Sequence, residues 1–378
     1  MKQKAFINGK IITNNSIHDG YTLFTLGDRI VGFSKEFVDL AAYQVIDLKG
    51  NYVCPSFIDL QVMGADGALY GGNPTADALW TMEQSLLKQG VAVFLPTVST
   101  NSMLIMQRSI RIAAQYQKKS LGNFFGLHIE GPYINEKNKG AHPKEFIRIP
   151  TVNDIKEMMQ ENKSVVKMMT IAPEQFDSAT MTFLEEQKIV LAMGHTAATY
   201  NDTLAFLEGK QKTITHLFNG MPAIHHRAPG PIPAIFEKKP YTSIVADGIH
   251  VDFRMVAFAK QNLGESLYLI SDAATSCSTG IYQHTDAGDR FVTKSTHDDT
   301  PVLSGSKLTM LQAIKNCVQQ VGISLAEAVN MATLYPSKAL GIEGDNGSIA
   351  VGRIANFVVF DSDYHIQEIY FRGNLVSN

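Results

Sequence analysis

The chain has 378 residues, a formal net charge of −3, 45% apolar and 18% charged residues. That balance describes a core-rich globular protein and excludes a disordered one. With no basic run there is no electrostatic footprint for nucleic acid, and no apolar stretch reaches bilayer-spanning length, so neither partner is expected. The length suits a large barrel with a smaller companion domain. The first ten residues lack the apolar centre of a secretion signal, and Cys54, Cys277 and Cys317 show no pair spacing. The expectation is a cytoplasmic protein without a disulfide framework or a cysteine metal site.

In chain order, residues 5–7, 11–13, 21–26, 29–33 and 44–47 alternate or carry β-forming side chains, with Asn8-Gly9 and Gly27-Asp28 as turn chemistry. The tail echoes this at 347–350, 355–360, 365–371 and 375–376, with Arg372-Gly373-Asn374 as a tight turn. Two all-β fragments at opposite ends predict one discontinuous β-sandwich, residues 1–50 and 344–378, flanking a central domain at 51–343. The middle alternates. Apolar runs at 57–62, 91–95, 124–129, 165–171, 189–193, 213–215, 242–246 and 267–270 read as buried parallel strands. Helical patterns at 76–89, 103–117, 152–160, 179–187, 200–208 and 253–262 lie between most of them. Eight strands with intervening helices is the count of a TIM-like (β/α)₈ barrel, an α/β fold. A doubly wound sheet is the competitor, but no Gly-rich dinucleotide fingerprint follows the first strand. Helices at 307–321 and 325–334 then return the chain to the sandwich.

A barrel gathers its active site at the carboxyl ends of its strands, and polar residues collect there. Strand one ends Asp59-Leu60-Gln61, strand two Pro96-Thr97, and strand three His128-Ile129-Glu130-Gly131-Pro132. Strands five and six end at His195 and His216, strand seven at Asp247-Gly248-Ile249-His250, and strand eight at Ser271-Asp272-Ala273. A lone histidine at a strand end reads as a cap. Two at equivalent ends of successive parallel strands read as a ligand pair, because a cation is the usual reason for neutral imidazoles to converge. Glu130, His195 and His216 would form a three-ligand set with one open position, the arrangement of a catalytic metal rather than a structural one. Asp272 is the candidate base, since closure brings strand eight beside strand one; read alone it is equally a helix N-cap.

These segments, with Cys54-Pro55-Ser56-Phe57-Ile58-Asp59, Thr215-His216-Leu217-Phe218-Asn219, Leu303-Ser304-Gly305-Ser306-Lys307-Leu308-Thr309-Met310 and Gly352-Arg353-Ile354-Ala355-Asn356, resemble the amidohydrolase superfamily. Most closely they resemble its N-acetylglucosamine-6-phosphate deacetylase family, over nearly the whole chain. The resemblance implies hydrolysis of an acetamide on a phosphorylated amino sugar, with Glu130, His195 and His216 as metal ligands and Asp272 as general base, then acid. It implies that His142, beside Ala141, polarises the acetyl carbonyl. Asn219 and Gly220 would meet the phosphate, Arg227 would pair with it, and His250 would meet sugar oxygens. It further implies a homodimer in which Arg227 and His250 look into the neighbouring subunit's pocket.

Many superfamily members carry His-x-His after the first strand's Asp and bind a second metal. Here those positions are Gln61 and Met63. The resemblance therefore implies one divalent ion per subunit, zinc on the two-His, one-Glu set, with Gln61 close to the nucleophilic water. Ser56 and Gly220 also replace the usual Gly and Ala. Two rivals stand beside this reading: an amidohydrolase for another N-acyl sugar or an N-acyl amino acid, and a scaffold that has lost its chemistry. Glu130, His195, His216 and Asp272 together argue against the second, because an inert barrel has no need of all four.

Overall fold

A computed structural model describes residues 3–14, 16–35, 39–209, 212–278, 280–294 and 301–376. The chain divides into two compact units: Met1–Ile58, Leu86–Ala92 and Met310–Asn378 form one, and Asp59–Ser85 with Val93–Thr309 the other.

In the first unit both chain ends build one eight-stranded sheet, in the order Asn374–Leu375, Ile366–Phe371, Phe357–Phe360, Tyr52–Pro55, Gln3–Ile12, Ile17–Leu26, Arg29–Ser34. Gln44–Asp47 completes it by pairing with residues 4–7 of the long strand, while Tyr52–Pro55 pairs with residues 10–11. The sheet therefore forks at Asn8-Gly9. That dipeptide does not turn the chain, as the sequence predicts; Asn8 takes a left-handed conformation (φ 55°) inside a single strand whose register shifts there. A bulge satisfies the same backbone preference as a hairpin turn. Phe6, Phe357 and Tyr370, fully or almost fully buried with ring centroids 4.8–4.9 Å apart, lock strands from the two ends together. Helices of this unit include α8 (Met310–Asn316), α9 (Leu325–Ala332) and α10 (Leu334–Leu340); the predicted 325–334 helix breaks at Thr333 (φ −136°).

The second sheet is the barrel. Its strands are β1 (Phe57–Val62), β2 (Val91–Ser99), β3 (Leu127–Glu130), β4 (Val166–Ile171), β5 (Val190–Met193), β6 (Lys212–Ile214), β7 (Tyr241–Ile244) and β8 (Leu267–Leu269), hydrogen-bonded in that sequential order. The pairings between successive strands from β2 to β8 are parallel. Closure comes just beyond β8, where the Asp272 amide donates to the Gln61 carbonyl at 2.9 Å and the Met63 amide to the Ala273 carbonyl at 2.8 Å. Helices α1 (Ala76–Lys88), α2 (Met103–Tyr116), α3 (Val152–Met159), α4 (Ser178–Glu185), α5 (Tyr200–Leu207) and α7 (Phe253–Leu263) match the predicted patterns. The sequence reading lacks α6 (Ile232–Lys238), a seven-residue helix with two prolines at its start and too short to show a period. β2 runs through Pro96 to Ser99 instead of stopping at 95. Pro96 precedes the residues paired with β3, Thr97 to Ser99, so its missing N–H costs that ladder nothing. No helix among the described residues is long and apolar enough to cross a membrane.

Helix α5, between the two predicted ligand histidines, begins with a reciprocal capping box of Thr199 and Asp202. Glu83 on α1 is fully buried. Its carboxylate accepts from the Tyr116 and Ser120 hydroxyls and from the amides of Gly122 (3.3 Å) and Phe124 (3.2 Å), tying the end of α2 to the chain entering β3. Glu83→Ala strands these donors, so urea unfolding should show a loss of about 3 kcal/mol or more; a loss below about 1 kcal/mol would contradict that role.

Candidate metal centre

Three strand ends meet at one point. Glu130 is the last residue of β3, while His195 and His216 each lie two residues beyond β5 and β6. Glu130 Oε1 lies 3.0 Å from His216 Nε2 and 3.3 Å from His195 Nε2, and the two ring nitrogens are 3.1 Å apart. All three side chains are buried. His195 (φ 47°), His216 (φ 30°) and Asp272 (φ 49°) take left-handed backbone conformations that non-glycine residues seldom adopt. Such strain persists where surrounding structure imposes it, and it clusters at working sites. Gly220 (φ 59°) relieves the same crowding, since a Cβ there would stand 2.7 Å from His195 Nδ1.

The tautomers can be read from the partners. His195 Nδ1 lies 3.0 Å from the Asn138 carbonyl, which only accepts, so Nδ1 carries the hydrogen and Nε2 a lone pair. That lone pair faces a carboxylate oxygen and another ring nitrogen, an arrangement that calls for a cation among the three. Tetrahedral coordination with bonds of about 2.0–2.1 Å needs donors about 3.3 Å apart, and the observed spacings of 3.0–3.3 Å fit it. These three residues thus form a group that can hold a metal. Around them, the Gln61 amide donates to Glu130 Oε1 at 2.9 Å and the Ser99 hydroxyl to Oε2 at 3.3 Å. Burial disfavours ionised Glu130, but the neighbouring His195 and His216 rings outweigh it and hold the carboxyl well below its usual range.

Asp272 faces the same cavity, of about 160 Å³, and its Oδ1 is buried without a hydrogen-bond partner. Burial and the nearby Glu130 charge push its pKa up, the direction a proton acceptor near neutrality needs. His142, Ala141, Asn219, Gly220 and His250 line that cavity too, with Met63 and the segment Leu303 to Gly305. His142 is neutral, its pKa driven down to about 3 by burial and then by His195. His250 has acceptors on both nitrogens, Asp247 Oδ2 at 2.6 Å and the Ser304 carbonyl at 2.7 Å, so it is held as imidazolium. The resemblance points His250 at a neighbouring subunit's site, and in its own chain it is among the residues lining the cavity. Gln61 lies behind Glu130 rather than on the cavity wall, and exposed Arg227 does not line the cavity.

Below the cation group, His128 braces the barrel. Its Nδ1 donates to the Leu60 carbonyl at 2.9 Å, and its Nε2 accepts from the Thr170 hydroxyl at 2.7 Å, itself 2.7 Å from the Thr215 hydroxyl. Burial takes its pKa down to about 4. Sequence reasoning passed over Thr100, Ser99 and the Asp59–Ser271 pair, in which the buried Asp59 carboxylate accepts the Ser271 hydroxyl (2.5 Å) and amide (3.2 Å). Reading β2 to its true end would have found the first two; the third is a contact across the closing seam.

A (β/α)₈ barrel with a Glu-His-His group and an unpaired carboxylate at its carboxyl-terminal mouth defines a metal-dependent hydrolase. The amidohydrolase family profile matches residues 52–376, and the chain belongs to that family. It is 32% identical to N-acetylglucosamine-6-phosphate deacetylase of Haemophilus influenzae, over 99% of each chain. It is 30% identical to N-acetylgalactosamine-6-phosphate deacetylase of Escherichia coli O157:H7, over 88% of this chain and 90% of that one. The crystal structure of N-acetylglucosamine-6-phosphate deacetylase from Pasteurella multocida superposes on all of both chains with a TM-score of 0.91 at 31% identity.

Elemental analysis should find about one divalent ion per wild-type chain and almost none after Glu130→Ala or His216→Ala. Full metal content in either variant would remove these side chains from the ligand set.

Proposed function

We propose that this chain hydrolyses the acetamide of N-acetylglucosamine 6-phosphate to glucosamine 6-phosphate and acetate. The observation that carries this reading is Asp272 Oδ1, a buried carboxylate oxygen without a partner in the cavity that holds Glu130, His195 and His216. Those three residues would hold one divalent cation, zinc, given two imidazoles and a carboxylate. When bound, it supplies Lewis acidity to the water nucleophile and the acyl oxygen.

The remaining steps belong to the chain. Asp272 takes a proton from the water as it attacks the acetyl carbon, then delivers it to the amide nitrogen, which leaves poorly unless protonated. The His142 Nε2–H donates to the oxygen on which negative charge grows. Gln61 and Ser99 keep Glu130 oriented. The His250 imidazolium meets sugar oxygens, Ala141 borders the acyl group, and Asn219 and Gly220 meet the phosphate. The Arg227 guanidinium suits a dianionic phosphate, and its position off its own cavity supports its serving a neighbouring subunit in a homodimer. We assign the enzyme to the cytoplasm, with a barrel domain at 51–343 and β portions at 1–50 and 344–378.

A second reading has its own support: the 30% identity to a deacetylase named for the galactosamine epimer. Acetate release from both 6-phosphates, and from unphosphorylated N-acetylglucosamine, separates the readings. Faster turnover of the galactosamine compound would transfer the assignment to it. Asp272→Asn should keep its metal and lose about 10²–10⁴ in kcat; unchanged turnover would eliminate the assigned base. Arg227→Ala should raise KM for the phosphorylated substrate about 10–100-fold while leaving the unphosphorylated one unaffected. Equal effects on both would remove the phosphate contact.

A further inference from the structure

We propose that Thr100 is a positioning residue that fixes the tautomer of His142, so that the ring presents an N–H and not a lone pair to the reacting acyl oxygen. The inference rests on the deacetylation reading above and adds to it a residue that never touches substrate.

His142 Nδ1 is met by two atoms of one residue, the Thr100 hydroxyl oxygen at 2.8 Å and the Thr100 backbone nitrogen at 3.4 Å. A backbone amide can only donate, and its hydrogen is aimed at Nδ1. A hydrogen on Nδ1 would face it head on, so Nδ1 holds a lone pair. The hydroxyl has a second acceptor in the Glu130 carbonyl at 3.4 Å, but it lies closer to the Nδ1 lone pair, at 2.8 Å, and can donate there. The ring hydrogen therefore falls on Nε2. His142 lines the cavity, and its Nε2 lies 3.8 Å from Glu130 Oε2, beyond hydrogen-bond length. The N–H stays available for a ligand.

Thr100 is itself held in place. It is fully buried directly after the last residue of β2. The Tyr282 hydroxyl donates to its carbonyl at 2.6 Å. Gly131 (φ 85°), next to Glu130, makes room for the hydroxyl, since a Cβ there would lie 2.1 Å from Thr100 Oγ1. One glycine thus lets β3 deliver Glu130 and β2 deliver the hydroxyl that orients His142. The alternative tautomer would aim a lone pair at an oxygen gaining negative charge, which opposes the reaction instead of assisting it.

The test uses metal-loaded full-length enzyme carrying ¹⁵N-histidine, with the His142 signals assigned by their loss in His142→Gln. In wild type, Nδ1 should resonate as an unprotonated ring nitrogen and Nε2 as N–H. Thr100→Val, which keeps the shape and removes the O–H, should mix the two states. It should also lower kcat roughly 10–100-fold with KM within about threefold of wild type, and Thr100→Ser should restore both. A protonated Nδ1 in wild type overturns the proposal, and so does a valine variant with wild-type spectrum and kcat. Should the valine variant fail to fold, the wild-type spectrum decides alone. If the sugar phosphates are not turned over but Nε2 carries the hydrogen, the reaction reading fails and the tautomer assignment stands.

Discussion

A carboxylate buried at the end of a barrel strand needs positive charge or hydrogen-bond donors around it, and Glu130 obtains them from its neighbours. Gln61 on β1 and Ser99 on β2 donate to its two oxygens, and the Nε2 atoms of His195 and His216, beyond β5 and β6, lie 3.3 and 3.0 Å from Oε1. Each pays in backbone or side-chain freedom; the two histidines sit at positive φ to bring their rings inward. The lone pair on His195 Nε2 is left pointed at an anion. A cation resolves the whole arrangement at once, as amidohydrolase chemistry requires.

Two carboxylates share this cavity, and their surroundings drive them apart. Hydrogen bonds hold Glu130 ionised against burial, while Asp272, with Oδ1 unpartnered, is pushed upward by burial and by Glu130 itself. Opposed environments of this kind divide a ligand from a proton carrier. Asp272 reaches the cavity only because the barrel closes there: its amide bonds to Gln61, while Asp59 of β1 grips Ser271, the preceding residue. The loop after β8 contributes to the same site. Ser304 accepts from His250, and Tyr282 reaches the Thr100 carbonyl, so the segment following the last strand fastens residues from β2 and β7.

The periodic parts of the barrel were legible in the sequence because buried parallel strands are short apolar runs and six of its helices carry a clear period. The residues of the candidate site were legible because a barrel places strand-end residues on one face, so Glu130, His195, His216 and Asp272 could be grouped without any contact being known. The reading failed where a local signal has two physical outcomes. Asn8-Gly9 suits a turn or a bulge, and Pro96 suits a strand end or a position within a strand outside the ladder to β3. Helix α6 is too short and proline-led to show periodicity.

Chain chemistry alone therefore determined the alternating architecture, the metal-ligand residue types and their order along the barrel, since each follows from residue pattern and spacing. Tertiary structure alone decided which ring nitrogen carries the hydrogen in His195 and His142, that Gln61 donates to Glu130, and that Asp247 and Ser304 grip His250. Those outcomes depend on partners distant in sequence, such as Asn138 for His195 and Thr100 for His142. A hydrogen bond is directional over a few tenths of an ångström, and no one-dimensional pattern encodes such alignment.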